Sequence, residues 1–544
     1  MEGRLNLDMV ATLPEKTNRE EPPKDLSAQV AADAGKKAVP SEYQALYKRA
    51  FHFMGGTVVL FLIGFVSFPI LARVFTVEQY GLVALVSNTV AVAVVFSKCG
   101  LQTSVQRFYK EHAVSERPGN LQRYCSTVYL TAGGAGLLIS LPFALLLVFR
   151  YLPQNIVSVQ VQILFGYAAA LIFLRSITSM ITNLLQVEGR TTAYNVLQIL
   201  TKAATVAVTV LLLLTWKRAP SVFFVGVVAV EAVAVLAMVP YLRRIGLLSF
   251  GAFDWGVCRE ALIFGFPMVG TEIFWLLLDS GDRFLVEGFL GPKQLGLYAA
   301  AYNISGYIRD SLSSPLYLAL FPLVMDLWVL KGREQTQNFL SRSMNFFAIA
   351  GIGVVVGVSV CSSDAINIVA SPKFYEAHRL LPYLVMGMMT SAMSMFLKSG
   401  LMLYKKTFVM LKINLAACLV NVVMNVILLP RIGLLGAALA TLGSYAVMTA
   451  LFAYYAQKYL PLRMDWVAWL KYGAVGLLSW FVVSRLEFGN LFVSLLVRGS
   501  LSMLVYFGIL YLLDARTREL AGIALRMVSR TLLRVRVGGE GSAA

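Results

Sequence analysis

The chain has 544 residues, of which 58% are hydrophobic and 14% charged, and its mean hydropathy is +0.71. That is too little polar surface to cover a soluble globule of this size and implies a polytopic membrane protein. The formal net charge of +18 reads as the basic signature of cytoplasmic loops and tails rather than a nucleic-acid surface. Five cysteines in no CxxC pair and three scattered histidines speak against a disulfide framework, a metal site or a His-based catalytic centre.

Residues 1-42 are polar, rich in Glu, Lys, Pro and Ala, and lack the apolar core of a signal peptide, so they read as a disordered cytoplasmic extension. Tyr47, Lys48, Arg49 and Phe51 then form a short amphipathic lead-in with its basic side at the lipid headgroups. Apolar runs of about twenty residues follow, each long enough to cross ~30 Å of hydrocarbon as a helix. They fall near 54-74, 80-97, 126-149, 161-185, 193-215, 221-241, 260-278, 296-325, 343-361, 380-403, 407-429, 434-456, 467-483 and 492-513. The expected fold class is therefore all-α, with about fourteen transmembrane helices. The last stretch, RTRELAGIALRMVSRTLLRVR over 516-536, sets six arginines among apolar residues and reads as an amphipathic helix on an anionic leaflet.

An even number of spans puts both termini on one side. The loops of that side carry sixteen Lys and Arg against ten opposite, which places both termini in the cytoplasm. The opposite loops are short, with no room for the large extracytoplasmic loop or acidic catalytic motif of a membrane glycosyltransferase or polymer ligase, so an enzyme is not expected. No GxxxxGK[ST] occurs, which excludes a P-loop ATP-driven pump. No cofactor is expected, and the energy source is left to a proton or sodium gradient, the substrate gradient or a partner.

An internal repeat is visible. Arg73-Val74-Phe75 through Gln79-Tyr80-Gly81-Leu82 matches Gly288-Phe289-Leu290 through Gln294-Leu295-Gly296-Leu297 at an offset of 215, and Gln186 to Thr191 matches Met402 to Thr407 at 216. Two widely spaced matches at nearly one offset imply duplication of a six-helix unit. The domains expected are the extension 1-42, lobes at 43-245 and 246-460, two extra helices at 461-513 and a basic tail at 514-544.

A charged side chain at membrane depth costs at least about 2.5 kcal/mol and persists where it lines a water-filled cavity or meets a partner. Five cations interrupt or end apolar runs: Arg175, Lys202, Arg283, Arg309 and Lys398. Facing one cavity, they would form an electropositive substrate-binding set suited to a diphosphate or an acidic glycan. Glu231, Glu272, Asp279 and Asp282 are candidates to accept the coupling proton or sodium ion. Alternatives stand beside these readings: Lys202 and Lys398 snorkel from helix ends, Asp310 or Asp282 neutralises Arg309, Glu231 is a structural partner of Arg175, and the Asp282-Arg283 pair only anchors a helix end at the membrane surface. Gly353 and Gly357 form a GxxxG packing motif, and Pro69, Pro142, Pro267, Pro315 and Pro322 offer bending points.

Phe264, Gly265 and Pro267, then Asp282-Arg283-Phe284, then Phe289-Leu290-Gly291, then Gly296-Leu297-Tyr298-Ala299-Ala300 resemble the start of the second half of Wzx-type polysaccharide flippases. These lipid-linked oligosaccharide transporters belong to the multidrug/oligosaccharidyl-lipid/polysaccharide exporter superfamily. Asn421, Asn425, Pro430, Gly433 and Gly436-Ala437-Ala438 are similar to the family's Asn-bearing helix, Pro-X-X-Gly turn and Gly-Ala-Ala helix start. The resemblance spans about 45-460. It implies two six-helix lobes around a central cavity, two extra C-terminal helices, and alternating access that carries an undecaprenyl-diphosphate-linked oligosaccharide from the inner to the outer leaflet of a bacterial inner membrane. The product would be exopolysaccharide, capsule or O-antigen of lipopolysaccharide. The lipid-linked oligosaccharide and membrane lipids are the implied partners, with a polysaccharide polymerase and chain-length proteins beside them and no nucleic acid. The charged extension departs from the family's compact start. Two other functions compete: an ion-coupled multidrug exporter of the same superfamily, with about twelve helices and a more acidic cavity, and a non-transporting scaffold of a polysaccharide assembly complex.

Overall fold

In lipid no water meets an open N–H or C=O, so long apolar runs close their hydrogen bonds within themselves as helices. The protein follows that rule throughout the residues that its computed structural model describes, 41–114, 119–148, 159–486 and 488–522. The expected extension lies almost wholly outside these, as does the basic tail beyond 522. The helices are α1 (Ser41–Val74), α2 (Val77–Lys98), α3 (Leu101–Val114), α4 (Asn120–Val148), α5 (Val159–Val187), α6 (Thr191–Thr215), α7 (Pro220–Arg244) and α8 (Trp255–Ser280). There follow α9 (Asp282–Ala365), a π-helical turn with a 3-10 turn, α10 (Leu381–Leu403), α11 (Thr407–Ile432), α12 (Leu434–Tyr459), α13 (Trp466–Ser484) and α14 (Leu491–Leu513).

Twelve helices among the described residues are long and apolar enough to cross a membrane. The expected spans near 260-278 and 296-325 are helical too, as α8 and the middle arm of α9, and both carry the charges described below. Helix α9 is one helix only in name. Gly291 (φ 82°) and Gly332 (φ 76°) break it into three arms, because only glycine enters the left-handed region without a Cβ penalty. The expected bends at proline are not the breaks here: Pro69 and Pro142 lie inside α1 and α4, as membrane helices tolerate when neighbouring groups take up the freed carbonyl.

The repeat is written into the geometry. Leu185 and Leu401 carbonyls accept from the N–H of Arg190 (3.0 Å) and Lys406 (2.9 Å), and Gln186 and Met402 carbonyls accept from Gly189 (3.1 Å) and Lys405 (3.0 Å). Each pair is separated by 216 residues, so one turn recurs bond for bond. Helix α2 starts at Val77 behind a Thr76/Gln79 capping box, and 215 residues on the middle arm of α9 starts at Pro292. These two arms cross at their own repeat-equivalent glycines. A Cβ on Gly81 would lie 2.0 Å from the Pro292 carbonyl oxygen, and one on Gly296 would lie 1.9 Å from that of Val77. Equivalent positions of a two-fold repeat meet only beside its axis, and glycine is what lets the backbones approach there. At the far end of α2, Gly100 and Gly265 make a second backbone contact of the same closeness, with a Cβ on Gly100 placed 1.9 Å from the Gly265 carbonyl oxygen.

One large apolar core runs through α1, α2, the arms of α9, α10 and α12. A second lies among α3, α4, α5 and α7. Helices α13 and α14 pack on the last arm of α9, where Gly353 admits the rings of Tyr506 and Phe507 and Gly357 admits Met503, the close packing expected of the GxxxG motif.

Candidate functional site

Three adjoining compartments make up one recess. The first, of about 280 Å³, is walled by α1, α2, α5, α6 and α7 and contains Ser67, Ser87, Arg175, Gln198, Lys202 and Glu231. The second, of about 580 Å³, is walled by α8, α9 and α10 with Thr57 of α1 and Met410 of α11, and contains Trp275, Arg309, Asp310, Ser391 and Lys398. A third, of about 430 Å³, shares Lys202 with the first and Thr57, Asp310 and Ser314 with the second. Its remaining wall, including Leu60, Phe61 and Tyr307, is largely apolar.

Each cation is held differently. Arg175, in the middle of α5, meets Glu231 of the neighbouring α7 at 3.4 Å, and the Thr178 hydroxyl donates to the other carboxylate oxygen at 3.3 Å. Lys202 on α6 makes no ion pair or hydrogen bond among the described residues. Lys398 also has no acidic partner; its ammonium lies 5.1 Å from the Trp275 ring centre and 4.9 Å from that of Phe452, a desolvated cation–π arrangement that contributes about 1–2 kcal/mol. Arg309 is bound by two carboxylates at once, Asp279 at 3.1 Å and Asp310 at 2.8 Å.

Behind Arg309 the two acids of the Asp279/Asp282 pair occupy sites of one design. Both flank Gly281, where α8 gives way to α9. Each receives one residue from α9 and one from α12, and the two sets are one helical turn apart, since Tyr298 and Tyr302 share a face, as do Thr441 and Tyr445. Asp282 accepts from Tyr298 and, at 3.1 Å, from Thr441. Asp279 accepts from Tyr302 at 3.2 Å and Tyr445 at 3.3 Å. Asp282 is fully buried and its Oδ1 has no partner among the described residues, nor has Oδ1 of buried Asn425, which joins the same network through Asn421, Ser444 and Thr441. Among the described residues no three His, Cys, Asp or Glu side chains cluster as a metal would require.

The expected site is thus partly assembled. Arg175, Lys202, Arg309, Lys398 and Glu231 wall the recess, and Asp279 lies one ion pair behind it. Arg283 does not wall these compartments, because its guanidinium is taken by Asn88 of α2 at 2.6 Å and lies 4.6 Å from the ring centre of Tyr302. Glu272 does not either. It pairs with Lys98 and accepts from Gln102 at 2.7 Å, tying the end of α2 to α8. Lys98 is the last residue of α2 and is buried, the helix running on until Cys99 caps it in the left-handed region. Asp282 is buried among protein side chains at the boundary of α8 and α9. Arg309 draws on Asp279, not Asp282, together with the expected Asp310. Sequence reasoning missed Lys98, Tyr298, Tyr302, Thr441 and Tyr445. The spacing of the last four by four residues on two apolar helices was the available signal.

Relatives fit this architecture. The probable low-salt glycan biosynthesis flippase Agl15 of Haloferax volcanii is 24% identical over 205 residues, 38% of this chain and 41% of that protein. The uncharacterized membrane protein MJ1068 of Methanocaldococcus jannaschii is 24% identical over 242 residues, 43% and 46% of the two chains. The matched stretch thus spans less than half of either relative. The fold is that of the lipid II flippase MurJ in its inward closed conformation, at TM-score 0.66 and 15% identity over 84% of this chain and 98% of that one. It is shared more distantly with the Vibrio cholerae MATE transporter VcmN, at TM-score 0.52 and 11% identity over 80% and 98%. A sequence profile for the family described as "Polysaccharide biosynthesis protein" matches residues 46–328, just over half of the chain. The chain therefore belongs to the polysaccharide biosynthesis protein family.

Proposed function

We propose that the protein is a flippase that carries an undecaprenyl-diphosphate-linked oligosaccharide from the inner to the outer leaflet of a bacterial inner membrane, by alternating exposure of this recess. The observation that carries this reading is the pair of cations without an acidic partner among the described residues, Lys202 and Lys398, in adjoining compartments of one recess. An uncompensated charge at membrane depth is costly, and an anionic headgroup is the ligand that offsets it. A small cationic drug would be repelled by the same two side chains. Family membership and the MurJ-like fold support the reading. The lipid tail would stay in the bilayer, both termini would be cytoplasmic, and a polysaccharide polymerase with chain-length proteins would act on the product.

The coupling ion, a proton or sodium ion, would be taken by the acids of this region, with Asp282 supported by its unpartnered buried oxygen and Asp279 by its contact with Arg309. The test is leaflet transfer of an undecaprenyl-diphosphate-linked oligosaccharide in proteoliposomes holding the native chain or a Lys202→Gln/Lys398→Gln double variant, with a cationic dye as second substrate. Transfer by the native chain and its loss in the double variant is the expected result. Dye export without glycan transfer would move the protein to the drug exporters, and transport of neither would leave a scaffold.

A further inference from the structure

Summed over its walls, each charged compartment suits a different ligand. In the first, Arg175 and Lys202 face Glu231 alone, which leaves one positive charge. In the second, Lys398 and Arg309 are balanced by Asp310 and by Asp279 behind Arg309. The balanced compartment is also the larger, at about 580 Å³ against about 280 Å³. Net charge draws a diphosphate to the first and not to the second.

The second compartment offers aromatic surface and hydroxyls instead. Trp275 of α8 and Tyr317 of α9 line it, and they are 39% and 50% exposed. Lys398 lies against the Trp275 ring, while Tyr317 makes no ring contact or hydrogen bond among the described residues. On the same walls the hydroxyls of Ser313, Ser314 and Ser391 have no hydrogen-bond partner among the described residues. Arg309 and Asp310 add a donor and an acceptor side by side, and the Asp310 side chain is 45% exposed.

A sugar ring matches both kinds of surface. Its C–H face is apolar and stacks on the face of an aromatic ring, and each hydroxyl on its rim both donates and accepts a hydrogen bond. A prenyl tail would match the two rings alone and would cover the polar groups without bonding to them. We infer that the second compartment is the sugar subsite of the recess, with Trp275 and Tyr317 as specificity-determining residues and the diphosphate on the Lys202 side. This rests on the flippase reading and adds which end of the headgroup each compartment takes. The third compartment, sharing Lys202 with the first and Asp310 and Ser314 with the second, connects them.

The test is binding of three lipids to the full chain in nanodiscs: bare undecaprenyl diphosphate, and the same lipid bearing one glucose or one galactose. Native protein should bind the better of the two sugar lipids about fivefold more tightly than the bare one. Trp275→Leu should abolish that preference while leaving the bare lipid bound as before, and Tyr317→Leu should reduce the preference about twofold. Lys202→Gln should weaken all three lipids alike. Native protein with no preference for either sugar lipid would overturn the inference, as would an unchanged preference in Trp275→Leu. Tail and diphosphate are common to the three lipids, so a Trp275→Leu loss of one size on all of them would assign the ring to those parts and sink the sugar subsite. Should Trp275→Leu fail to fold, Tyr317→Leu decides in its place, by a lowered preference for the inference or an unchanged one against it. Native protein that binds none of the three would instead remove the flippase reading beneath it.

Discussion

The two charged compartments use the same residue types to opposite ends. In the first, one arginine is matched by one glutamate across α5 and α7, and Lys202 is left over, so a positive charge is built in. In the second, Lys398 sits between two aromatic rings and Arg309 between two carboxylates, so no net charge remains. The difference teaches that counting cations in a membrane helix does not measure a cavity's attraction for an anion. What matters is how many of them already have a partner, because an ion pair formed within the protein has used up most of its field.

The comparison can be broken at its base. Both compartments depend on the approach of α2 to the middle arm of α9, so Gly296→Ala, whose Cβ would lie 1.9 Å from the Val77 carbonyl oxygen, should cost about 3 kcal/mol or more as the helices part. A thermal melt of the purified protein that is unchanged would contradict the crossing. Single substitutions sharpen the contrast next. Lys202→Gln should slow glycan transfer about tenfold, or about 1.4 kcal/mol, and Lys398→Gln only about threefold, because its ammonium already interacts with two rings. Equal losses would mean that both lysines serve one site. Glu231→Gln should lower stability by about 1 kcal/mol, a modest figure because the Arg175 side chain is 36% exposed and water replaces part of the pairing; chemical denaturation would register it.

The smallest effect lies outside both compartments and serves as a control. The Ala468 N–H, and after it the Arg516 guanidinium, hold the Asp465 carboxyl below the usual carboxylate range at the start of α13. A depressed value stabilises the ionised form, so this contribution is present above ~pH 4 and is lost as pH falls through the lowered value. Asp465→Ala should cost about 0.5 kcal/mol at neutral pH, with the difference from native shrinking on acidification. A loss of transfer in this variant would show that the helices beyond Tyr459 are coupled to the recess.

Much of the site was legible in residue order. A lone arginine in VQILFGYAAALIFLRSITSMITNLL or a lysine in YLVMGMMTSAMSMFLKSGLMLY stands out because hydrocarbon penalises it, wherever the helix packs. The pairing of Arg175 with Glu231 was open as an alternative because both interrupt apolar spans. Lys98 was not legible as an interior residue. It lies where an apolar run ends, and its partner Glu272 is 174 residues away. Arg283 read as a cavity cation for the same reason Arg309 did, and only the packing of the helices brings one to Asn88 and the other to Asp279.

By itself the sequence determined the helices, their number and the glycine turns that divide them, because span length, hydrophobicity and positive φ are local properties that lipid and sterics enforce on each segment alone. It also carried the repeat, since duplicated residues rebuild the same turns 215 and 216 residues apart. Which charges cancel was decided only by the tertiary structure. A Coulomb interaction depends on a few ångströms of separation between side chains on different helices, and those distances arise when α2 crosses α9 at two glycines and α12 lays Thr441 and Tyr445 against two aspartates.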